Sequence, residues 1–252
     1  MIITVFFVGF LVGCTGMGGI ILIPALVYFL SLSTHVAMGT ALFSFFFSTI
    51  LSSYLYIRLG HMNWKDTIPI CLGGLPFAYL GAVTKAHMQA PYLNLVLALL
   101  ILLAGSLVFR PIKGKHYAFM ERTSPWRNRT LLLVGAGVSF IAGMTGAGGP
   151  VLSTPLMIAL GIAPITAIAA GQVYSIVVSF SGSLGNLQYG AIDFIVGAWI
   201  VVVQMLGILL GVYMANRMNT EKLRILVAWV CVATGTFIFV NAVIGVVGLW
   251  RV

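Results

Sequence analysis

The sequence predicts an all-α polytopic membrane protein built from two inverted repeats, and three observations support this fold class. Only 7% of the 252 residues are charged and 61% are hydrophobic, whereas soluble globular proteins carry about 25% charged residues. Most apolar runs have the length of a transmembrane helix, and one glycine-rich motif occurs in each half. Because so few charges cannot cover a water-exposed surface, we expect the lipid bilayer to surround most of the chain.

Eight apolar runs follow one another along the chain. A helix needs about 20 apolar residues to cross the hydrocarbon core, and most of the runs fit that length. The first and the fifth are longer, and a glycine cluster interrupts each near its middle. Each repeat is therefore expected to be a glycine-broken helix, re-entrant or discontinuous, followed by three transmembrane helices. The runs are Ile2–Leu32, Val36–Ile57, Thr67–Thr84, Tyr92–Phe109, Thr130–Ile162, Thr166–Leu187, Phe194–Ala215 and Ile225–Leu249.

One long polar stretch, Arg110–Arg129, separates a first membrane repeat (1–109) from a second (130–252). We expect this linker to be cytoplasmic, because positively charged loops stay on that side of a membrane. Its charge contributes to the formal net charge of +9. No basic stripe interleaved with aromatic residues accompanies it, so we expect no nucleic-acid partner. The basic residues of the linker are Arg110, Lys113, Lys115, Arg122, Arg127 and Arg129.

The two halves repeat each other at an offset of 130 residues. This offset aligns Gly13–Gly19, which reads Gly-Cys-Thr-Gly-Met-Gly-Gly, with Gly143–Gly149, which reads Gly-Met-Thr-Gly-Ala-Gly-Gly. It also aligns Gly60 with Gly190. Apolar chains match each other by chance at Leu and Ala, but a shared glycine and threonine motif indicates an internal duplication.

The distribution of Lys and Arg favours one of two ways to thread the long runs through the membrane. If each long run crosses the membrane once, four basic residues lie on the side of the membrane opposite to the others: Lys85, Arg217, Lys222 and Arg224. If each folds back as a re-entrant hairpin, only Lys85 and Arg251 lie opposite the rest. The more uneven division favours hairpins. Each half then crosses the membrane three times, so the repeats are inverted, with both termini outside and the linker inside.

The repeated motif predicts an anion-binding site. A non-helical turn inside the membrane is tolerated only where protein or a water-filled cavity surrounds its N–H and C=O groups. Apolar residues resume at Ile20 and Pro150, so each motif is expected to start a short helix whose N-terminus faces the membrane interior. Such an N-terminus carries free N–H groups and about half a positive charge. Two of them near the midplane would suit an oxyanion.

The motif supplies most of the candidate site residues. The hydroxyls of its two threonines are expected to be hydrogen-bond donors to the anion. The alternative explanation of such glycines is close packing between helices, and we assign that role to the surplus glycines Gly73, Gly74 and Gly105. The motif candidates are Cys14, Thr15, Gly16, Gly18, Gly19, Thr145, Gly146, Gly148 and Gly149.

Four polar residues on the helices that follow the motifs are secondary candidates. Thr40 and Ser44 are four positions apart, and Gln172 and Ser175 are three apart, so each pair shares a helical face. A serine in a membrane helix usually bonds its own backbone. Gln172 is more costly to bury and is therefore the stronger candidate.

The residue inventory argues against an enzyme. All four acidic residues lie in loops or near the ends of apolar runs, so no intramembrane carboxylate is available for a proton relay. The three cysteines lack metal-binding spacing, and no Ser-His-Asp, HExxH or Walker A arrangement is present. We expect no catalysis, no cofactor and no bound metal, and a small anion as the partner. The acidic residues are Asp66, Glu121, Asp193 and Glu221.

At the duplicated motif the chain resembles the TauE/SafE family of bacterial sulfite exporters. The resemblance is carried by Gly9–Gly19 and Gly135–Gly149, with support from Gly60–Trp64 and Gly190–Phe194, and it extends over nearly the whole chain. It implies a multi-pass permease of the bacterial inner membrane. It also implies sulfite, sulfoacetate or related sulfur oxyanions and organosulfonates as substrates, with export as the expected direction.

The leading hypothesis is a carrier that works by alternating access around a midplane site made of two helix N-termini. Two alternatives remain open: a passive anion channel, and a membrane scaffold subunit that transports nothing. The sequence leaves open the anion, the direction, the coupling ion and whether a homo-oligomer forms.

Overall fold

The computed structural model describes residues 1–85, 95, 98–99, 102, 105–106, 125–189 and 191–249. Within these ranges the secondary-structure elements are all helices. Five of them are long and apolar enough to cross a membrane, and the prediction of an all-α membrane protein is confirmed. The helices are α1 Ile2–Thr15, α2 Gly19–Leu30, α3 Thr34–Arg58, α4 Trp64–Lys85, α5 Pro125–Thr145, α6 Pro150–Ala159, α7 Pro164–Leu187, α8 Phe194–Arg217 and α9 Thr220–Leu249.

The helix boundaries refine the predicted runs. Both long runs are broken at their glycines, the first into α1 and α2 and the second into α5 and α6. Because α5 begins at Pro125, the last residues of the predicted linker are helical. Most of the predicted run Tyr92–Phe109 and the earlier part of the linker lie outside the described residues.

A glycine in the left-handed conformation ends the first helix of each broken run. Gly16 has φ +80° and Gly146 has φ +71°, and each donates its N–H to a carbonyl four residues earlier, that of Val12 or Ala142. A residue with a Cβ is strained at such φ values. Glycine at these two positions therefore turns the chain out of α1 and α5.

Two helix pairs, α1 with α8 and α4 with α5, pack through glycines that let the backbones approach closely. A Cβ added at Gly13 would lie 2.6 Å from the carbonyl oxygen of Ile208. One at Gly73 would collide with the backbone of α5, and one at Gly143 with the backbone of α4. Close packing is thus the role of Gly73, as predicted, and also of the two glycines that begin the repeated motif.

Polar contacts show which helix termini lie together at each of the two ends of the bundle. At one end His61 contacts Asn216, which joins the α3–α4 loop to the end of α8, and Arg127 forms an ion pair with Asp66, which joins the starts of α5 and α4. We call this the basic end, because the Lys and Arg residues described by the structure lie here, apart from Lys85. At the opposite, Lys85 end, the Lys85 ammonium contacts Asn186 at the end of α7 and the His35 carbonyl at the start of α3.

The direction of α1 follows from its partner. Gly9 lies against Gln204 and Gly13 against Ile208, so α1 and α8 run parallel. The start of α8 lies at the Lys85 end, where the N–H of Asp193 donates to Thr40 near the start of α3. Hence α1 also starts at the Lys85 end, and α2 finishes there, just before α3 begins.

The second broken run has both ends at the basic end. α5 begins beside Asp66, and α7, which directly follows α6, begins where Thr166 shares a polar cavity with His61 and Arg127. These contacts favour two hairpins that enter the bundle from opposite ends. The inverted repeat itself stays a prediction and forms part of the proposal below.

Candidate functional site

The two glycine breaks meet in the centre of the bundle. A Cβ added at Gly19 would collide with the carbonyl oxygen of Ala147, and one at Gly16 would lie 2.9 Å from the Cβ of Pro150. Between the breaks lies a cavity of about 10 Å³, which is room for about one water molecule. Its lining comes from both halves of the chain: Val12, Gly16, Gly19, Phe45, Thr49, Ala147, Gly148, Pro150 and Ser175.

The starts of α2 and α6 have no side-chain cap. Their N-cap residues are Gly18 and Gly149, and neither start receives a capping hydrogen bond from a side chain. At α3 and α8, by contrast, Ser33 and Asp193 each accept an N–H from the first turn. The first N–H groups of a helix have no partner within it. Two sets of such groups, with the positive ends of two helix dipoles, therefore lie next to the central cavity.

The two motif threonines have a local role rather than the expected donor role. Thr15 donates its hydroxyl proton to the carbonyl of Leu11 (2.9 Å), and Thr145 donates to that of Ile141 (2.9 Å). Each hydroxyl oxygen also accepts an N–H two residues later in the chain. These hydroxyls stabilise the two breaks, and their protons are directed at their own helices.

Four of the predicted site residues line the central cavity, namely Gly16, Gly19, Gly148 and Ser175. Others hold the breaks in place. Gly18 packs against Val8 and Val12 of α1, Gly149 against Tyr174 of α7, and Gly146 against Met38 of α3. Cys14 is fully buried but does not line the cavity.

The predicted polar residues of α3 and α7 divide between two roles. Gln172 donates to the carbonyl of Val12 (2.6 Å), and its buried Oε1 has no hydrogen-bond partner among the described residues. Thr40 accepts the N–H of Asp193, and Ser44 donates to the carbonyl of Ala41. Gln172 thus lies beside the first break, whereas Thr40 and Ser44 bond backbone groups and do not line the cavity.

Several residues at this centre were not among those predicted from the sequence. Thr154 is fully buried, its hydroxyl has no partner among the described residues, and it lies 3.3 Å from where a Cβ at Gly16 would be. Phe45 and Thr49 line the cavity from α3. The repeat offset aligns Phe45 with Ser175, so the duplication could have indicated that position, but no sequence signal distinguished Thr154.

A second, larger cavity reaches the second break from the side of α2 and α9. Its volume is about 760 Å³, and Thr145 and Ala147 form part of its wall. The wall also includes Thr34, at the start of α3, so the cavity extends towards the Lys85 end. The remaining lining residues are mostly apolar: Ile23, Pro24, Val27, Tyr28, Met38, Phe237, Ile238 and Asn241.

The described residues contain no group of three or more His, Cys, Asp or Glu side chains that could hold a metal ion. Among the described carboxylates, Asp66 pairs with Arg127, Glu221 pairs with Arg224, and Asp193 caps α8. None of the residues that line the central cavity is charged, so the groups there that can attract an anion are backbone N–H groups and helix dipoles.

Comparison with known proteins gives a family and several relatives. The family model described as sulfite exporter TauE/SafE matches residues 1–247. A probable membrane transporter protein of Bacillus subtilis, YdhB, is 25% identical, and the match covers 89% of this chain and 93% of YdhB. The probable membrane transporter protein MJ0441 of Methanocaldococcus jannaschii is 23% identical, covering 91% and 92%. No solved structure matches the chain.

Proposed function

The chain belongs to the TauE/SafE family and is a membrane transporter, and on this premise we propose that it carries sulfite or a related sulfur oxyanion or organosulfonate. The binding site is the central cavity between the two glycine breaks. The transported anion lies between the N-termini of α2 and α6, and export is the direction we assign to it.

The observation that carries this proposal is the meeting of two uncapped helix N-termini at one cavity. An oxyanion has several acceptor oxygens, and backbone N–H groups at a helix N-terminus satisfy them without a fixed counter-ion. Ser175 adds a hydroxyl to the same cavity. A site of this kind holds a small anion and releases it again, as a carrier must.

The size of the central cavity favours a carrier over an open channel. A cavity of about 10 Å³ holds about one water, so an oxyanion fits only after the two breaks move apart. Hairpins that enter from opposite ends would open the cavity to one end at a time. We therefore assign alternating access by two inverted repeats around the central site.

We place the protein in the bacterial inner membrane with the basic end in the cytoplasm. This orientation has a direct test with single cysteines at exposed loop positions. A cysteine at Asn219, between α8 and α9, should react with a membrane-impermeant thiol reagent only from the cytoplasmic side. One at Ser31, between α2 and α3, should react from the outside. Labelling of both positions from the same side would contradict the hairpin arrangement, since it places the two loops on opposite sides.

The substrate class is tested by uptake of labelled sulfite into proteoliposomes. Competitors are sulfate, thiosulfate, sulfoacetate, nitrate and chloride. We expect saturable uptake that sulfur oxyanions inhibit and chloride does not. Equal inhibition by every anion would contradict sulfur specificity, and uptake that does not exceed that of empty liposomes would contradict sulfite as the substrate.

A further inference from the structure

A lysine is buried at the end of the bundle that carries few other positive charges. Lys85, the last residue of α4, is 3% exposed. Its ammonium donates to Oδ1 of Asn186 (2.6 Å) and makes a weaker contact with the carbonyl oxygen of His35 (3.5 Å). Lysine is almost never this buried unless it is paired with an acid, and no carboxylate among the described residues pairs with Lys85.

The Lys85 ammonium therefore has capacity to bind an anion. It has three N–H donors, of which Asn186 accepts one strongly and His35 accepts another at the limit of hydrogen-bond distance. Asn186 is itself fixed, because its amide nitrogen donates to the carbonyl of Gly182 (2.8 Å). A buried cation without a counter-charge is costly, and a bound anion would offset that cost.

A row of polar side chains connects this lysine to the central cavity. Ser175, Ser179, Ser183 and Asn186 follow one another at intervals of four, four and three positions on α7, so they share one helical face. Ser175 lines the cavity and Asn186 holds Lys85. At 1.5 Å per residue the row is about 16 Å long.

The two middle hydroxyls of this row are buried without a hydrogen-bond partner. Ser179 is fully buried and Ser183 is 8% exposed, and neither hydroxyl has a hydrogen-bond partner among the described residues. A serine in an apolar helix normally donates to a carbonyl of its own helix, as Ser44 does to that of Ala41. Buried hydroxyls without a partner are suited to hydrogen-bond an anion or a water molecule that passes along α7.

We propose that Lys85 forms a second anion-binding site, and that the transported anion passes along α7 between the central cavity and this site. This inference rests on the proposed function, since it takes the central cavity as the other end of the path. The ligand class is an oxyanion small enough to be held by one ammonium and successive hydroxyls. The second repeat has no equivalent lysine at this position, because the repeat offset aligns Lys85 with the uncharged Ala215. The proposed site is therefore present at only one end of the bundle.

The first test measures sulfite transport from each side of oriented proteoliposomes for Lys85→Gln, Lys85→Arg and the control Lys65→Gln. Lys65 is exposed and lies at the basic end. Lys85→Gln removes the charge that would pair with the bound anion. This should raise the KM for sulfite supplied from the Lys85 side by about thirtyfold or more. Lys85→Arg retains the charge and should stay near the wild-type KM, as should Lys65→Gln. A Lys85→Gln variant with the wild-type KM from that side would overturn the proposal.

A second test does not need transport. The melting temperature of the detergent-solubilised protein is measured with increasing sulfate or sulfite, for wild type and Lys85→Gln. An anion that binds the folded state raises the melting temperature, and we expect the rise to shrink in Lys85→Gln and to persist in Lys65→Gln. Equal rises in wild type and Lys85→Gln, or no rise in wild type, would overturn the Lys85 site. A Lys85-dependent rise without sulfite transport would instead contradict the proposed function and leave the site supported.

The row of polar side chains on α7 is tested with the double variant Ser179→Ala Ser183→Ala. Loss of the two hydroxyls should lower the turnover number by about thirtyfold, equivalent to about 2 kcal/mol, while the KM at Lys85 changes little, because two hydrogen bonds to the passing anion are lost. The variant Ser139→Ala, which removes a buried hydroxyl already bonded to its own helix, serves as the control. An unchanged turnover number in the double variant would contradict the path along α7.

Discussion

The replacement Gly148→Ala tests the central cavity with a single methyl group. Gly148 has φ +83°, and an added Cβ would lie 3.6 Å from the nearest ring carbon of Phe45, which is ordinary contact without collision. The methyl group would project into a cavity of about 10 Å³, which is close to the smallest volume that holds a water. It would therefore occupy the space that the anion must enter.

Gly60→Ala is the matched control for this replacement. Gly60 also has a positive φ, +75°, but a Cβ there would meet nothing within 4 Å. Both variants force an alanine into the left-handed region, which costs roughly 1–2 kcal/mol. The two proteins should therefore lose similar stability, and only Gly148→Ala should fill the central cavity.

We expect Gly148→Ala to reduce sulfite uptake at least about tenfold relative to Gly60→Ala, equivalent to about 1.4 kcal/mol. Uptake is measured per reconstituted protein, and melting in detergent checks that both variants are folded. Uptake by Gly148→Ala that equals that of Gly60→Ala would refute the placement of the anion in this cavity. Gly18 is unsuited to this test, because its Cβ would meet Val8 and Val12 of α1 at 2.5–3.0 Å and disturb the packing as well.

Three further outcomes are expected. Ser175→Ala removes a hydroxyl from the cavity and should raise the KM for sulfite by about tenfold, as for a hydrogen bond to a charged group, whereas Ser44→Ala should leave it unchanged; the reverse order would contradict the site. Gly143→Ala introduces a collision with the α4 backbone, which should cost about 1–3 kcal/mol and lower the melting temperature, and an unchanged melting temperature would contradict the backbone contact. Asp66→Asn leaves the largely buried Arg127 side chain without its ion-pair partner, which should destabilise the protein by about 3 kcal/mol; an unchanged midpoint of denaturant unfolding would contradict this.

Local sequence patterns were sufficient to predict the helix starts at the centre of the molecule. Two adjacent glycines followed by an apolar run predicted the start of α2, and Pro150 at a first helical position predicted that of α6. These signals depend on backbone geometry alone, so they can be read without knowing the tertiary structure. That the N-termini of α2 and α6 lie together could be expected only from the duplication, because it makes the two motifs equivalent.

Side-chain roles were harder to predict, because they depend on which donors are already satisfied. Thr15 and Thr145 were expected to donate to the anion, but carbonyls of their own helices are four residues away and accept those protons. Lys85 resembled an ordinary cation that flanks a membrane helix. Its contact with Asn186, far along the chain in the second repeat, is visible only when the two halves are packed together.

The most direct test of the carrier mechanism is counterflow of labelled sulfite in proteoliposomes that contain the wild-type protein. A single site between two repeats, open to one side at a time, predicts that unlabelled sulfite inside the vesicles accelerates entry of the label and that the rate saturates with external sulfite. Entry that rises linearly with concentration and is indifferent to internal sulfite would contradict the carrier and indicate a channel.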